Sequence, residues 1–313
     1  MITALPLGWT AVLPVLLVAL AWAAATWDAV AGGRAAGRPV PWTVAAAGPW
    51  REGARLLVGQ RRRGVASDQL LRGVGGAVLP VAALGAAAVV PLGLRPVADL
   101  AEGIVWFNAM EVLAWAAVWL VGWGANSTLS LIGGYRFVAQ GLAYELPHMF
   151  AIITAAVGAQ SLRVTDVVDA QQGLWFVVVM PVAFVAFLLS AAAMAFWGPF
   201  DAPLGRDVAG GAAAELAGVD RLLFAGGRWL LLVAAAAMAV PLFLGGGQGP
   251  WLPAWAWVLV KTVAVLAALV ALRHRIPTIR MERWTEFSWV VLVPATIAQA
   301  LVVSVVVLTE GGM

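Results

Sequence analysis

Runs of about 20 predominantly apolar residues recur along the whole chain, and they constrain its fold more than any other feature. A bilayer core offers no water to backbone amides and carbonyls, so a segment that crosses it must be a helix or part of a closed barrel. The runs lack the alternating apolar and polar residues of barrel strands, which favours helices. Only 11% of the residues are charged, whereas a soluble domain has about 25%.

The apolar runs predict an all-α, polytopic membrane protein with about eight transmembrane helices in one membrane domain, residues 1–313. The first run lacks a basic leader and a cleavage site, so we expect it to be retained. The chain has no cysteine, which excludes an iron–sulfur cluster bound by its own thiolates. The predicted spans are approximately residues 5–27, 73–93, 102–123, 138–160, 173–196, 221–244, 252–272 and 286–308.

Most of the 19 Lys and Arg residues lie in loops that follow the odd-numbered spans. Cytoplasmic loops carry the excess of basic residues in membrane proteins. The sequence therefore predicts that these loops are cytoplasmic and that both termini lie on the non-cytoplasmic side. The net charge of +3 is then a signal of topology, and it does not indicate a nucleic-acid partner.

The first predicted cytoplasmic loop, residues 28–72, contains apolar residues interleaved with arginines. Trp50 stands beside Arg51 and Arg55, and this pattern is typical of a short amphipathic helix lying at the membrane surface. We expect such a helix near residues 50–62. The alternative is that the arginines serve only to orient the protein in the membrane.

Five ionisable residues fall within predicted spans: Glu111, Glu145, His148, Arg228 and Lys261. Such groups are costly in a bilayer and usually mark an ion or proton path. The alternative is internal ion pairing, for example between Glu145 and Lys261, or between Glu111 and either Arg228 or Lys261. His148 shares a helix face with Glu145, which predicts a hydrogen bond to Glu145 or water, with proton relay as the alternative. Neither histidine indicates a metal site.

Five segments, in chain order, resemble motifs of the H subunit of NADH:quinone oxidoreductase, respiratory complex I, over roughly residues 90–310. They are GWGANSTLSLIGGYRFVAQGLAYELP, SLRVTDVVDAQ, GPFDAPLGRDV, GGQGPWLPAWAWVLVKT and RHRIPTIRMERWTEFSWVVLVP. The resemblance implies a membrane subunit that forms part of the quinone-reduction chamber and the start of the proton path. Quinone would be the substrate, and iron–sulfur clusters would lie only in partner subunits.

The resemblance also implies partners, a location and site residues. The partners would be other membrane-arm subunits and peripheral-arm iron–sulfur subunits, in a bacterial inner membrane. Glu145 matches the glutamate of the family motif SYE, Asp201 the aspartate of PFD and Lys261 the lysine of LKT. The implied proton-transfer residues are Glu145, Lys261, Asp201, Asp207 and Glu215, and the implied chamber residues are Arg136, Phe200, Arg51 and Arg55.

The chain departs from the family pattern in its loops. Leu204 and Arg206 stand where the family has acids, and the family's first-loop motif has no counterpart. Glu111 and His148 match no family position. Two alternatives therefore stay open: a membrane anchor of an energy-converting hydrogenase-type complex, and a stand-alone secondary transporter.

Overall fold

The computed structural model describes residues 9–62, 64–93, 95–205 and 210–310. The described residues contain helices and no strand. The helices are α1 (Trp9–Ala35), α2 (Trp42–Val58), α3 (Gln69–Ala88), α4 (Gly103–Gly124), α5 (Thr128–Ala159), α6 (Val164–Ala170), α7 (Phe176–Val179), α8 (Pro181–Met194), α9 (Gly218–Phe243), α10 (Ala254–Arg275), α11 (Met281–Phe287) and α12 (Val293–Glu310). A short 3₁₀ helix, Ala202–Leu204, precedes α9, and a π-helical turn, Ser288–Leu292, joins α11 to α12.

Seven of the described helical segments are long and apolar enough to cross a membrane. They are α1, α3, α4, α5, α9, α10 and the continuous segment Met281–Thr309. The eighth apolar helix, α8, has only 14 residues. The all-α, polytopic membrane fold predicted from the sequence is therefore confirmed.

The fifth predicted span, residues 173–196, consists of two helical pieces. The break lies at Met180, whose φ of −127° and ψ of 51° are not helical. Pro181 follows it, and a proline inside a helix removes an amide donor and clashes with the carbonyl four residues earlier. A new helix that begins at Pro181 avoids that clash, because no earlier turn of the same helix lies against the proline ring. The missing amide also costs nothing there, because the first helical amide needs no intrahelical partner.

Close backbone approach at two glycines positions α3 between α4 and α9. A Cβ atom on Gly75 would lie 2.7 Å from the Ala117 carbonyl oxygen of α4. A Cβ atom on Gly227 would lie 2.7 Å from the Pro80 ring of α3. Small residues at helix contacts let spanning helices pack tightly, where van der Waals contact replaces the hydrophobic effect.

Helix α2 lies in the region where the sequence predicted an amphipathic helix, but it begins earlier and ends before Arg61. It packs on α1 and α9 through buried Ala45 and Leu56, while Trp50 is 65% exposed. Arg55 donates two hydrogen bonds to Glu52, and they hold the pKa of the Glu52 carboxyl below its usual value. Its location at a membrane surface stays a prediction.

The antiparallel helices give the bundle two ends. Helices α1, α4, α8 and α10 finish at the same end at which α3, α5, α9 and α11 begin, and this is called the arginine-rich end. There the Asp28 carboxylate of α1 lies 2.7 Å from Arg273 and 2.8 Å from His274 of α10. The assignment of this end to the cytoplasm is a prediction from the arginine distribution.

Candidate functional site

Two polar side chains from α4 and two from α5 meet inside the bundle. Asn108 and Glu111 are three residues apart on α4, as are Glu145 and His148 on α5, so each pair shares a helix face. Glu111 Oε2 lies 2.6 Å from His148 Nε2, and both side chains are 0% exposed. Asn108 Nδ2 donates to Glu145 Oε1 over 3.4 Å. We call these four residues the interior cluster.

The partners differ from those that the sequence suggested. The carboxylate beside His148 is Glu111, whereas the sequence pointed to Glu145 or water. Glu111 was expected to pair with Arg228 or Lys261, and its ion-pair contact is with His148 instead. The reason is helical geometry: α4 and α5 pack against each other and bring the two faces together at this level.

The interior cluster lies deep in the bundle. At 1.5 Å per residue, Glu145 is about 25 Å along α5 from Thr128, and Glu111 is about 20 Å along α4 from Gly124. Both starting points are at the arginine-rich end. A hydrocarbon core is about 30 Å thick, so charges at this depth need internal partners or water.

Aromatic side chains wall the interior cluster. The His148 ring lies 6.3 Å from the Phe107 ring and 5.1 Å from the Phe187 ring, measured between centroids. Next to it, Trp115 Nε1 donates to the Tyr144 hydroxyl over 2.9 Å. The walls exclude lipid from the Glu111–His148 pair and leave its environment apolar.

Pro147 lies in this part of α5 without breaking the helix. A proline has no amide hydrogen, so the carbonyl four residues earlier, that of Ala143, loses its normal donor. The Ser288 hydroxyl, in the π-helical turn before α12, donates to the Ala143 oxygen. The Ser190 hydroxyl of α8 similarly donates to the Tyr144 oxygen over 3.2 Å. These two contacts fix the turn of α5 that carries Glu145.

A polar stripe runs along α5 from the arginine-rich end to the interior cluster. Its members are four residues apart, and they are Arg136, Gln140, Tyr144 and His148. Gln140 Nε2 donates to the carbonyl oxygens of Ala193, over 2.6 Å, and Phe200, over 3.2 Å. The side chain of Gln140 thus joins α5 directly to the last turn of α8 and to the segment between α8 and α9.

Arg136 is also attached to the segment between α8 and α9, and Phe200 belongs to that segment. Arg136 Nη1 donates to the Gly210 oxygen over 3.2 Å. The Phe200 side chain is buried, and its ring lies 4.5 Å from that of Trp284. The structure therefore brings both predicted chamber residues to one region at the arginine-rich end.

The predicted acidic residues of this segment lie nearer the surface. Asp201 accepts a hydrogen bond of 2.9 Å from Thr278, and Asp207 lies outside the described residues. The Glu215 carboxylate lies 3.1 Å from Arg62 Nη1. Arg72 Nη2 donates to the Glu215 carbonyl oxygen over 2.9 Å, so the first loop is tied to the start of α9. Arg62 and Arg72 were not singled out from the sequence.

The remaining predicted chamber residues, Arg51 and Arg55, are exposed on α2. Arg55 is paired with Glu52 on the same helix. The structure does not place either side chain in the network around Phe200 within the described residues.

A cavity of about 440 Å³ opens at the arginine-rich end, beside Arg228. Arg228 donates to the Ala195 oxygen over 3.1 Å and to the Phe196 oxygen over 2.6 Å, and its guanidinium lies 5.1 Å from the centre of the Trp197 ring. Its bonds tie α9 to the residues that directly follow α8. The cavity is lined by Leu204, Gly205, Ala213, Ala214, Arg221, Phe224, Ala225 and Arg228.

Lys261 lies at the opposite end of the bundle. Its Nζ donates to the carbonyl oxygens of Leu244, Gly246 and Gln248 at 2.6, 3.0 and 2.8 Å, and it lies 4.0 Å from the centre of the Trp175 ring. These carbonyls lie just beyond the C-terminal end of α9, where a cation also complements the helix dipole. Helix α9 is about 39 Å long, so Lys261 is far from Asp201 and does not pair with Glu145.

Comparison with known proteins decides the family. Relatives named as the H subunit of NADH-quinone oxidoreductase from Geobacter metallireducens and Geobacter sulfurreducens are each 34% identical over 259 residues, which cover 79% of either chain. One from Rhodopseudomonas palustris is 32% identical over 258 residues, or 82% of this chain and 81% of its own. The family model described as NADH dehydrogenase matches residues 7–304. The chain belongs to this family.

Membership in this family confirms the resemblance predicted from the sequence motifs. The chain is a membrane subunit of the NADH-quinone oxidoreductase kind. Among the described residues, no three His, Cys, Asp or Glu side chains form a group that could hold a metal ion.

Replacing Lys261 with Met in this NADH-quinone oxidoreductase subunit should loosen the contact between α9 and α10. Three carbonyl oxygens would lose a charged donor, and hydrogen bonds to charged groups contribute about 1.5–3 kcal/mol each without adding fully. We expect a clear drop in the thermal unfolding temperature of the detergent-solubilised protein. Val260→Met is the matched control, since Val260 is 49% exposed. Equal unfolding temperatures would contradict the proposed clamp.

Proposed function

We propose that this chain forms part of the quinone-reduction chamber of a bacterial NADH-quinone oxidoreductase and the start of its proton path. Quinone is the substrate, and iron–sulfur clusters in peripheral-arm partner subunits supply the electrons. Other membrane-arm subunits complete the complex in the plasma membrane. The observation that carries this proposal is Gln140, which joins the helix of Glu145 to the carbonyls of Ala193 and Phe200.

The cavity beside Arg228 supports the chamber. Its volume of about 440 Å³ lies within the range of small-molecule sites, roughly 300–1,000 Å³. Arg221 and Arg228 supply donors for quinone oxygens, and Phe224 supplies an aromatic wall. Arg136 holds the segment between α8 and α9, which includes Phe200 and would form the floor of the chamber. Arg51 and Arg55 on α2 would contact the quinone or lipid head groups at the entrance.

Proton uptake follows from the charge that reduction creates. Negative charge on the reduced quinone favours protonation of nearby carboxylates. Asp201 and Glu215, with Asp207 from outside the described residues, would exchange protons at the rim, and Glu145 would hold one in the interior. The contacts of Gln140 make this coupling mechanical as well as electrostatic, because a shift of the Phe200 carbonyl acts on α5. Lys261 would hold the far end of α9 while this happens.

Family membership favours this multi-subunit role over a stand-alone transporter. The same membership favours quinone as the electron acceptor over a hydrogenase-type anchor, because the relatives are named as parts of a quinone oxidoreductase.

Filling the cavity tests the chamber. In Ala225→Phe, a phenyl ring on a cavity-lining residue should exclude the quinone head group and raise the KM for a soluble quinone analogue at least tenfold in the purified complex, a loss of about 1.4 kcal/mol. Gly226→Phe is the matched control, because a Cβ there meets no heavy atom within 4 Å. Co-purification of the iron–sulfur subunits confirms that each variant assembles. An assembled Ala225→Phe complex with unchanged quinone kinetics would rule out this cavity as the chamber.

A further inference from the structure

Unpartnered polar atoms concentrate in the interior cluster. Apart from the Glu111 Oε2 and His148 Nε2 atoms, which lie 2.6 Å from each other, seven buried side-chain nitrogen or oxygen atoms have no hydrogen-bond partner among the described residues. Four of the seven belong to Asn108, Glu111, Glu145 and His148. Buried polar atoms in proteins are nearly always satisfied, by protein or by ordered water. Four such atoms in one place, beside the close Glu111–His148 contact, indicate a polar site that can bind water or exchangeable protons.

The Glu111–His148 contact is the centre of this site. Glu111 Oε2 and His148 Nε2 are 2.6 Å apart, which is short enough for one proton to be held between them. His148 Nδ1 and Glu111 Oε1 are among the unpartnered atoms, so each group keeps a second position at which a proton or water can bind.

We propose that Glu111 and His148 form a second proton-holding site, which shares one proton between Oε2 and Nε2 and exchanges it with Glu145. This inference rests on the proposed proton path through Glu145. It adds two residues that match no position of the family motifs, and it changes the unit that carries the proton from one carboxyl to a coupled group of three.

Charge accounting shows what the pair supplies. Two carboxylates alone are neutral with two protons and carry −1 with one, and the −2 that they would reach with none is prohibitive in an apolar interior. A neutral imidazole leaves these totals unchanged, but it adds a third position for a proton, so that a carboxylate can also be balanced by a cation beside it. Moving the proton from His148 Nε2 to Glu111 Oε2 turns an ion pair into a neutral pair without changing the number of protons.

The surroundings of the pair leave Glu145 as its ionisable neighbour. From α4, Asn108 donates to Glu145 and Trp115 donates to the hydroxyl of Tyr144. Tyr144 lies one helical turn from His148 on α5. From α8 it meets the Phe187 ring, and Ser190 bonds the Tyr144 carbonyl. Since these neighbours are neutral at ordinary pH, the charge of Glu145 and that of the pair act mainly on each other.

Nitrogen NMR of the intact complex, with ¹⁵N-histidine in this chain, tests the sharing directly. The chain has two histidines, so a His274→Gln background leaves the His148 ring alone. We expect its Nε2 signal to report a proton shared with Glu111 at neutral pH. In Glu111→Gln, the ring should become a plain neutral imidazole, because a buried cation would lack its carboxylate. A ring that is neutral in both proteins would overturn the proposal.

Proton transport gives the second readout. His148→Asn and Glu111→Gln should each lower the protons moved per quinone reduced at least threefold, while quinone reduction measured with an uncoupler persists. Unchanged transport in both assembled variants would overturn the proposal even with a shared proton. If one variant fails to assemble, proton transport by the other variant decides this test. The NMR result does not depend on quinone chemistry. A failed Ala225→Phe test together with a shared proton would reject the chamber and keep the pair.

Discussion

Replacing Glu145 with Gln should reduce coupled proton transport to the background of empty vesicles. Gln keeps the volume and can still bond Asn108, but it cannot take up or release a proton. The helix itself should be unaffected, because the Ser288 and Ser190 contacts that fix this turn do not involve the carboxyl. The measurement is acidification of proteoliposomes by the reconstituted complex, followed with a pH-sensitive dye during quinone reduction.

Glu102→Gln is the matched control for the Glu145 variant, since Glu102 is exposed at the end of the bundle opposite the arginine-rich end. It should transport protons at the normal rate. Normal transport in assembled Glu145→Gln would show that the proton path bypasses this residue.

Replacing Gln140 with Leu should have the largest structural effect among substitutions that keep every charge. The Ala193 and Phe200 oxygens would both lose the Gln140 donor in a buried region, and each unsatisfied group costs about 1–3 kcal/mol. We therefore expect a destabilisation of about 2–4 kcal/mol and at least a tenfold loss of quinone reduction, because the segment that carries Phe200 is no longer held against α5.

Thermal unfolding and steady-state quinone reduction measure the two effects of Gln140→Leu separately. Gln172→Leu is the control, because Gln172 is exposed at the opposite end. A Gln140→Leu protein as stable and as active as the control would contradict the mechanical link between the chamber and Glu145.

Sequence reasoning identified the helical membrane fold because burial in lipid dictates both length and composition of a span. It also found Glu145 and His148, since their spacing on one helix is a local property. The stripe of Arg136, Gln140, Tyr144 and His148 has the same kind of signal, a repeat of four residues, and could have been found in the same way.

The partners of these residues could not be predicted. Whether His148 meets Glu111 depends on how α4 packs on α5, and that packing follows from many weak contacts along both helices. Pairing of Lys261 with Glu145 was one alternative that the sequence left open, yet Lys261 binds carbonyls that follow the end of α9.

Ser288 illustrates a residue with no sequence signal at all. Its hydroxyl compensates for the amide that Pro147 lacks, although the two residues are far apart in the chain. A proline within a span predicts only that some donor is needed by the freed carbonyl. Which donor supplies it is decided by the three-dimensional packing of the last span on α5.

In the proposed mechanism, reduction of quinone at the arginine-rich end changes the protonation of a carboxyl group in the middle of the bundle. Redox-triggered infrared difference spectroscopy of the intact complex measures this directly, through the C=O stretching band of protonated carboxyl groups. We predict a band that appears or shifts when quinone is reduced and that is absent in Glu145→Gln. Identical difference spectra for the two complexes would contradict this mechanism.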